Sequence, residues 1–150
     1  MGPPKNNRTG SAIKNISGLF SANTGAASFE KHWKFGAGTQ KVQTQSLDAF
    51  LKSKGLTKVR LIKLDCEGAE LGIIKGALKM LSEQQADFVE MDFHQDIVGF
   101  EPSLQIDKMM REAGYRFSKL RNEIWIYHRP GLESELAALG PLQEVPPLAA

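Results

Sequence analysis

The spacing of apolar residues changes along the middle of the chain, and each spacing predicts a different element. Residues 59–65 are mainly branched and apolar between polar ends, which is typical of a strand buried in a parallel sheet. Residues 68–82 carry apolar side chains at intervals of three and four, which predicts one helix. Residues 86–93 predict a second strand, and residues 103–113 predict a further helix that ends at Gly114. This alternation predicts an α/β fold with parallel strands.

Shorter patterns flank this central part. Residues 41–45 predict a half-exposed strand, and Ser46 is a suitable N-cap for a helix that ends at Gly55. Residues 115–120 and 123–128 predict two strands joined by a tight turn. This C-terminal antiparallel hairpin would add an antiparallel strand to the sheet.

The two ends of the chain have the composition of irregular structure. Residues 1–11 are polar and contain Pro and Gly, so we expect a disordered N-terminal segment. Residues 12–38 are rich in Gly, Ser, Asn and Thr and predict a loop with at most one short hairpin. We place a single domain at residues 12–130. We expect the C-terminal tail, residues 131–150, to hold one weak helix and then fray.

Charge is unevenly distributed along the chain. Residues 1–60 hold ten Lys or Arg and two Asp or Glu, whereas residues 61–150 hold nine and fifteen, for a net charge of +2. A basic half could suggest nucleic acid, but its charges are scattered and no nucleic-acid motif accompanies them. We therefore interpret these charges as a solvated surface and expect no nucleic-acid partner.

Nothing in the sequence predicts a membrane-spanning segment or export to an oxidising compartment. No apolar run approaches the roughly 20 residues that a membrane-spanning helix needs, and the first residues do not resemble a secretory signal. Cys66 is the single cysteine, which rules out an internal disulfide, and it has no neighbourhood that would activate it. We expect a cytoplasmic protein.

Three carboxylates lie within six residues where the first predicted strand gives way to its helix. Asp65 ends the strand, and Glu67 and Glu70 lie in the turn that opens the helix. Ligands bind beyond the carboxyl ends of strands in open parallel sheets, so these groups could bind a metal, orient a cofactor or face a sulfonium. Acidic residues also favour helix N-termini as caps alone. Spacing favours the capping interpretation for Glu70, whereas for Asp65 it does not decide between a capping and a functional role.

The second predicted strand ends at the same edge of the sheet. Strand alternation puts Glu90, Asp92 and His94 on one side. An imidazole can remove a proton from a hydroxyl near neutral pH, and a carboxylate can orient it. A histidine flanked by acids is more often an exposed loop residue, which stays the alternative for His94.

Other candidates have weaker support. The Gly-Ala-Gly at residues 36–38 lacks the preceding strand and following helix with which a glycine loop holds a nucleotide, so we reject it. His32 and His128 have no supporting neighbours in the sequence, and we expect them to be structural or exposed.

Four segments together resemble the FkbM family of methyltransferases. That family typically shows a Leu-Asp helix start, a Lys-hydrophobic-Asp-x-Glu-Gly-Ala-Glu turn, a Lys/Arg-Gly-Ala helix and a strand that ends in Val-Glu. This chain carries them in the same order and spacing at Leu47-Asp48, at residues 63–70, at Lys75-Gly76-Ala77 and at Val89-Glu90. With looser similarity upstream, the resemblance covers about residues 12–128.

The resemblance implies a partial Rossmann-like, class I fold and transfer of a methyl group from S-adenosylmethionine to a hydroxyl of a small molecule or glycan. It places Asp65 and Glu67 at the cofactor, with His94 and Glu90 as catalytic residues beside it. The family's N-terminal cofactor-binding half, with its glycine-rich loop, has no counterpart here, so no such loop supports cofactor binding by this chain alone. This departure predicts that strand 59–65 is an exposed edge, through which the chain could associate with itself or with a partner.

Two alternatives stay open. The chain could be a truncated, catalytically inactive paralogue that acts as a protein-binding module. The carboxylates of Asp65, Glu67 and Glu90 could instead form a metal site, which is the least favoured reading of these residues, and we expect no metal.

Overall fold

The computed structural model describes the backbone of residues 13–18, 27–28, 39–121 and 124–149, and side chains from residue 43 onward within these ranges. The expectations for residues 1–11, for the Gly-Ala-Gly at 36–38 and for His32 lie outside the described residues.

From residue 47 to residue 120, helical segments separate successive strands, which confirms the α/β class. The strands are Ile13–Gly18 (β1), Ala27–Ser28 (β2), Thr39–Gln43 (β3), Val59–Leu64 (β4), Ala86–Met91 (β5), Arg116–Leu120 (β6), Ile124–His128 (β7) and Leu142–Glu144 (β8). The helices are Leu47–Lys54 (α1), Glu70–Lys75 (α2), Leu78–Ser82 (α3), Gln95–Val98 (α4), Glu101–Glu112 (α5) and Glu133–Ala137 (α6). None of α1–α6 is long and apolar enough to cross a membrane.

A mixed five-stranded sheet carries the candidate site, in the order β4-β5-β7-β6-β8. β4 and β5 are parallel, and β7 lies antiparallel between β5 and β6. The predicted C-terminal hairpin is therefore confirmed, and it joins the sheet through β7.

A separate antiparallel sheet lies earlier in the chain, in the order β2-β1-β3. The expectation of a loop with at most one hairpin before residue 39 is wrong to this extent, because β1 pairs with both β2 and β3. Backbone hydrogen bonds hold such a sheet together, and a composition rich in Gly and Ser does not reveal them.

β4 forms an edge of the five-stranded sheet. It pairs with β5 on one side and with no other strand among the described residues. Arg60 and Lys63 are exposed, and Leu61 is 51% exposed. The expectation of a fully buried strand is wrong at these positions because one flank of β4 has no neighbouring strand. The expectation of an open edge is confirmed.

The stretch predicted as one helix after β4 is two helices, α2 and α3, with a break at Gly76. The carboxylate of Asp48 accepts hydrogen bonds from the N–H groups of Lys79 (3.0 Å) and Met80 (2.9 Å), so it caps α3. The N–H of Asp48 donates to the carbonyl of Gly76 (3.1 Å). A Cβ at Gly76 would lie 3.2 Å from Cβ of Ser46, so glycine permits this close approach. The start of α1 therefore fills the break.

The predicted ends of α1 are confirmed. The hydroxyl of Ser46 accepts a hydrogen bond from the N–H of Ala49 (3.2 Å), as an N-cap does. Gly55 has φ 64° and ends the helix in the left-handed conformation.

Residues 95–98, for which the sequence analysis predicts no element between the strand at 86–93 and the helix at 103–113, form the short helix α4. The N–H groups of Ile97 and Val98 donate to the carbonyl of His94 (3.0 and 3.1 Å). A single turn is too short to show a helical repeat in the sequence, which explains the missed prediction. The helix begins immediately after His94 and fixes the backbone of that residue near the end of β5.

The C-terminal tail does not fray in the described residues. The predicted weak helix is confirmed as α6, but β8 then pairs antiparallel with β6. The N–H of Val145 donates to the carbonyl of Phe117 (2.8 Å), and the N–H of Leu148 donates to the carboxylate of Asp107 (2.9 Å). These anchors belong to other elements, so the proline-rich composition of the tail could not predict them.

The main core packs the buried faces of α2, α3 and α5 against the sheet. Its largest fully buried side chains include Ile74, Met80, Met110, Phe117 and Tyr127. His128 is also fully buried, and its Nε2 lies 3.0 Å from the hydroxyl of Ser118, so the structural interpretation of this histidine is confirmed.

Candidate functional site

The candidate site lies where the parallel strands β4 and β5 end. Asp65 follows β4 directly, and His94 lies three residues beyond the end of β5. Parallel strands bring their carboxyl ends to one edge, which is where open α/β sheets bind ligands. The distance from Nε2 of His94 to Oδ1 of Asp65 is 3.6 Å, so the structure brings these two predicted residues together.

An unusual turn links β4 to α2. Glu67 and Gly68 have φ values of 50° and 93°, so two successive residues adopt positive φ. Glu70 stabilises the turn, since its Oε1 accepts hydrogen bonds from the N–H groups of Cys66 (2.9 Å) and Gly68 (3.3 Å). The side chain of Glu70 is only 4% exposed, so the negative charge is held inside the turn. Burial raises the pKa of the Cys66 thiol, which fits a packing residue rather than a nucleophile.

Glu70 also holds the imidazole of His94. Its Oε1 lies 2.9 Å from Nδ1 of His94. A carboxylate can only accept, so Nδ1 carries the proton and donates it to Glu70. Partial burial of His94 lowers its pKa, but the hydrogen bond to Glu70 and the negative charges of Glu70, Glu67 and Asp92 outweigh burial and leave the pKa above its ordinary value. The neutral ring therefore presents its lone pair at Nε2.

Two carboxylates face that nitrogen. Besides Oδ1 of Asp65 at 3.6 Å, Oε2 of Glu67 lies 3.9 Å from Nε2 of His94. Donor atoms of Asp65, Glu67 and His94 all lie within 4.8 Å of one another. The arrangement concentrates negative charge around one imidazole nitrogen, so it favours a proton or another positively charged group there.

Glu90 joins this group through Lys63 rather than by contact with His94. Oε1 of Glu90 lies 3.2 Å from Nζ of Lys63, and the same ammonium lies 3.6 Å from Oδ2 of Asp65. Lys63 and Glu90 are register partners on β4 and β5, which explains the pairing. The hydrogen bond to Glu90 is the main cause that raises the pKa of Lys63. Strand alternation predicts that Glu90 and His94 lie on one side of the same strand. Because β5 ends at Met91, His94 lies beyond the strand and does not share that side with Glu90.

A sizeable cleft opens beside this cluster and not over it. Its volume is about 900 Å³, and its lining includes Gly68 and Ala69 of the turn together with Ile62 of β4. None of the side chains of Asp65, Glu67 or His94 lines it. We take the cluster as the chemical site because it gathers the titratable groups, and the cleft as adjacent space of the size that holds small ligands.

Gly68 determines how closely α4 can approach the turn. A Cβ at this position would lie 2.4 Å from Cγ1 of Val98, a stiff β-branched side chain in α4. Replacing Gly68 by alanine is expected to lower the free energy of unfolding by about 2 to 4 kcal/mol. Alanine would be strained at this positive φ, and its Cβ would clash with Val98. Denaturant unfolding monitored by circular dichroism measures this cost.

Gly55 provides the matched control for that prediction. It also has positive φ, but a Cβ there would meet nothing within 4 Å. Gly55→Ala should therefore cost only about 1 to 2 kcal/mol, the price of the backbone conformation alone. Equal costs at the two sites would show that α4 does not depend on close approach to the turn.

The sequence does not reveal the roles of two residues of the site, Glu70 and Lys63. Glu70 looked like a helix N-cap, and although it does bind N–H groups of the turn, its contact with His94 depends on a residue 24 positions away. Nothing in the sequence alone singles out Lys63, although its position opposite Glu90 follows once two parallel strands are aligned. Asp65, Glu67 and His94 were proposed from the sequence, and the structure clusters them.

Comparison with known proteins identifies the family. The model of the FkbM methyltransferase domain matches residues 3–117, which is more than half of the chain and includes β4, the turn and His94. Searches of curated proteins and of solved structures return no match. The chain belongs to the FkbM methyltransferase family.

Proposed function

We propose that this chain is an S-adenosylmethionine-dependent O-methyltransferase domain that methylates a hydroxyl of a small molecule or glycan. The observation that carries the proposal is the imidazole of His94, held at Nδ1 by buried Glu70 and facing two carboxylates at Nε2. Family membership supports methyl transfer as the reaction class. The oriented imidazole supports a hydroxyl acceptor, because a hydroxyl must lose its proton when it is methylated.

His94 is the proposed proton acceptor. The hydrogen bond from Nδ1 to Glu70 leaves the lone pair on Nε2, which takes the proton of the acceptor hydroxyl. The negative charges of Glu70 and Glu67 stabilise the imidazolium that forms. The reaction then depends mainly on holding the hydroxyl beside Nε2, since orientation is a large part of such rate enhancements.

The donor set at the site fits the cofactor's charge. S-adenosylmethionine supplies an electrophilic methyl group on a positively charged sulfonium. Asp65 and Glu67 would hold that charge beside His94, because opposite charges attract strongly at a partly buried site. No glycine-rich nucleotide loop follows a strand among the described residues, so the remaining contacts must come from other groups.

Glu90 is proposed as a positioning residue. Its carboxylate fixes the ammonium of Lys63, which in turn lies against Oδ2 of Asp65. This arrangement restrains the Asp65 carboxylate with Oδ1 toward His94. The role is less direct than the catalytic one expected from the sequence.

We also propose that the five-stranded sheet is part of a Rossmann-like, class I methyltransferase fold. The parallel pair β4–β5, the site at its carboxyl edge and the antiparallel β7 support this assignment.

Transfer of a labelled methyl group from S-adenosylmethionine to a panel of sugars and small-molecule alcohols tests the proposed function. We expect labelling of at least one hydroxyl acceptor. Calorimetry should show a roughly tenfold weaker cofactor affinity in Asp65→Asn, because a lost charge interaction worth about 1.4 kcal/mol lowers a binding constant tenfold. Glu83→Gln, which alters an exposed carboxylate at the end of α3, is the control. A folded wild-type chain that neither binds nor transfers would refute the proposal.

The non-enzymatic alternative, a protein-binding module, rests on the open edge of β4. An unpaired edge can accept a strand from another chain. No residue described here shows what covers that edge, so association through it stays a prediction.

A further inference from the structure

The cluster around His94 has the donor set of a metal site. It offers one imidazole nitrogen and two carboxylate oxygens, from two neighbouring segments of the fold. Asp65 and Glu67 belong to the turn after β4, whereas His94 follows β5. Three donors on two segments can face one point from different directions, which a run of acidic residues on one helix cannot do.

The distances suit a single ion. Bonds from first-row divalent cations to nitrogen or carboxylate oxygen are about 2.0 to 2.2 Å, so two donors on one ion lie at most about 4.4 Å apart. Nε2 of His94 lies 3.6 Å from Oδ1 of Asp65 and 3.9 Å from Oε2 of Glu67. Both distances are inside that limit, and all three donor atoms lie within 4.8 Å of one another. Binding one ion therefore requires the partly exposed carboxylates of Asp65 and Glu67 to rotate toward a common centre.

The imidazole is prepared in the way that metal-binding histidines usually are. A histidine ligand commonly donates its other ring N–H to a carboxylate, which fixes the tautomer and orients the ring. Glu70 performs this role at Nδ1, and its side chain is 4% exposed and anchored by the N–H groups of Cys66 and Gly68. Nε2 is therefore held with its lone pair toward Asp65 and Glu67.

We propose that Asp65, Glu67 and His94 bind a divalent first-row transition cation such as Zn²⁺ or Mn²⁺. One nitrogen and two oxygen donors suit these ions, whereas Mg²⁺ and Ca²⁺ prefer oxygen ligands alone. The set differs from the carboxylate triad considered from the sequence, because His94 replaces Glu90, whose carboxylate is paired with Lys63. Three protein donors leave coordination positions open for a ligand oxygen.

The cation site stands on geometry and not on the proposed methyl transfer. Nε2 cannot bind a cation and accept a proton at the same time, and Asp65 and Glu67 cannot hold a metal ion and the sulfonium at the same time. An occupied cation site therefore competes with the roles assigned to all three residues in methyl transfer. Binding can be measured without any methyl acceptor, so failure of one proposal leaves the other intact.

Calorimetry on the untagged, chelator-treated full chain tests the site with ZnCl₂, MnCl₂ and MgCl₂. We expect one Zn²⁺ per chain with a micromolar Kd, Mg²⁺ at least about tenfold weaker, and a loss of Zn²⁺ affinity of about tenfold or more in His94→Ala and in Glu67→Gln. Zn²⁺ should also raise the melting temperature of the wild type and not of His94→Ala.

Asp96→Asn is the matched control. Asp96 is an exposed carboxylate in α4, two residues after His94, and it is not one of the three donors, so its variant should bind Zn²⁺ like the wild type. The proposal fails if the folded wild type binds no Zn²⁺. It also fails if both His94→Ala and Glu67→Gln bind Zn²⁺ as tightly as the wild type, since the ion would then lie elsewhere.

Discussion

Replacing Asp107 by alanine is expected to lower the free energy of unfolding by about 3 to 5 kcal/mol, the cost of breaking a buried charge network. Asp107 lies in α5 and is 3% exposed. Its carboxylate accepts hydrogen bonds from Nε of Arg111 (3.0 and 2.9 Å) and from the hydroxyl of Tyr127 (2.9 Å). It also accepts the N–H of Leu148. The substitution leaves the charge of Arg111 without its partner and removes an anchor of the tail.

The same helix offers a matched control. Lys108 and Glu112 have the same spacing as Asp107 and Arg111, but their side chains are 76% and 65% exposed. Glu112→Ala should change stability by less than about 1 kcal/mol, because exposed pairs contribute little. Urea unfolding of both variants measures the contrast. Similar losses in the two variants would contradict the central role given to Asp107.

The part of the fold that local patterns encode could be predicted. Ser46 and Gly55 bound α1 as expected, because caps depend on residues within a few positions. The break at Gly76 could not be predicted, since the group that caps α3 is Asp48, about thirty residues earlier. The ordered tail has the same explanation, because Asp107 holds it from another helix.

The candidate site, like the fold, could be predicted from the sequence only in part. Asp65 and His94 follow strands with clear apolar patterns, so their meeting at one sheet edge could be expected. The orientation of the ring could not be predicted, because it depends on the turn before α2. The positive φ values of Glu67 and Gly68 in that turn bring the carboxylate of Glu70 to Nδ1. Glu90 was placed with His94 by strand alternation, but the strand ends at Met91 and the alternation ends with it.

His94→Ala is expected to lower the rate of methyl transfer by about 10²- to 10⁴-fold, the usual contribution of a general base. Glu70→Gln is expected to lower it by about 10- to 100-fold, as loss of a residue that orients a functional histidine typically does. Both rates should be measured in the presence of a chelator, so that an effect on cation binding does not enter. The exposed-carboxylate variant Glu83→Gln again serves as the control.

The double variant distinguishes a positioning role for Glu70 from an independent one. If Glu70 acts through His94, the double variant should be about as slow as His94→Ala alone, because groups that act as a unit are not additive. In Glu70→Gln, nuclear magnetic resonance should also show a lower pKa for His94, since burial would remain while the strongest charge that raises this pKa is removed. A double variant slowed by the product of the two single effects, with an unchanged pKa for His94, would mean that Glu70 only stabilises the turn.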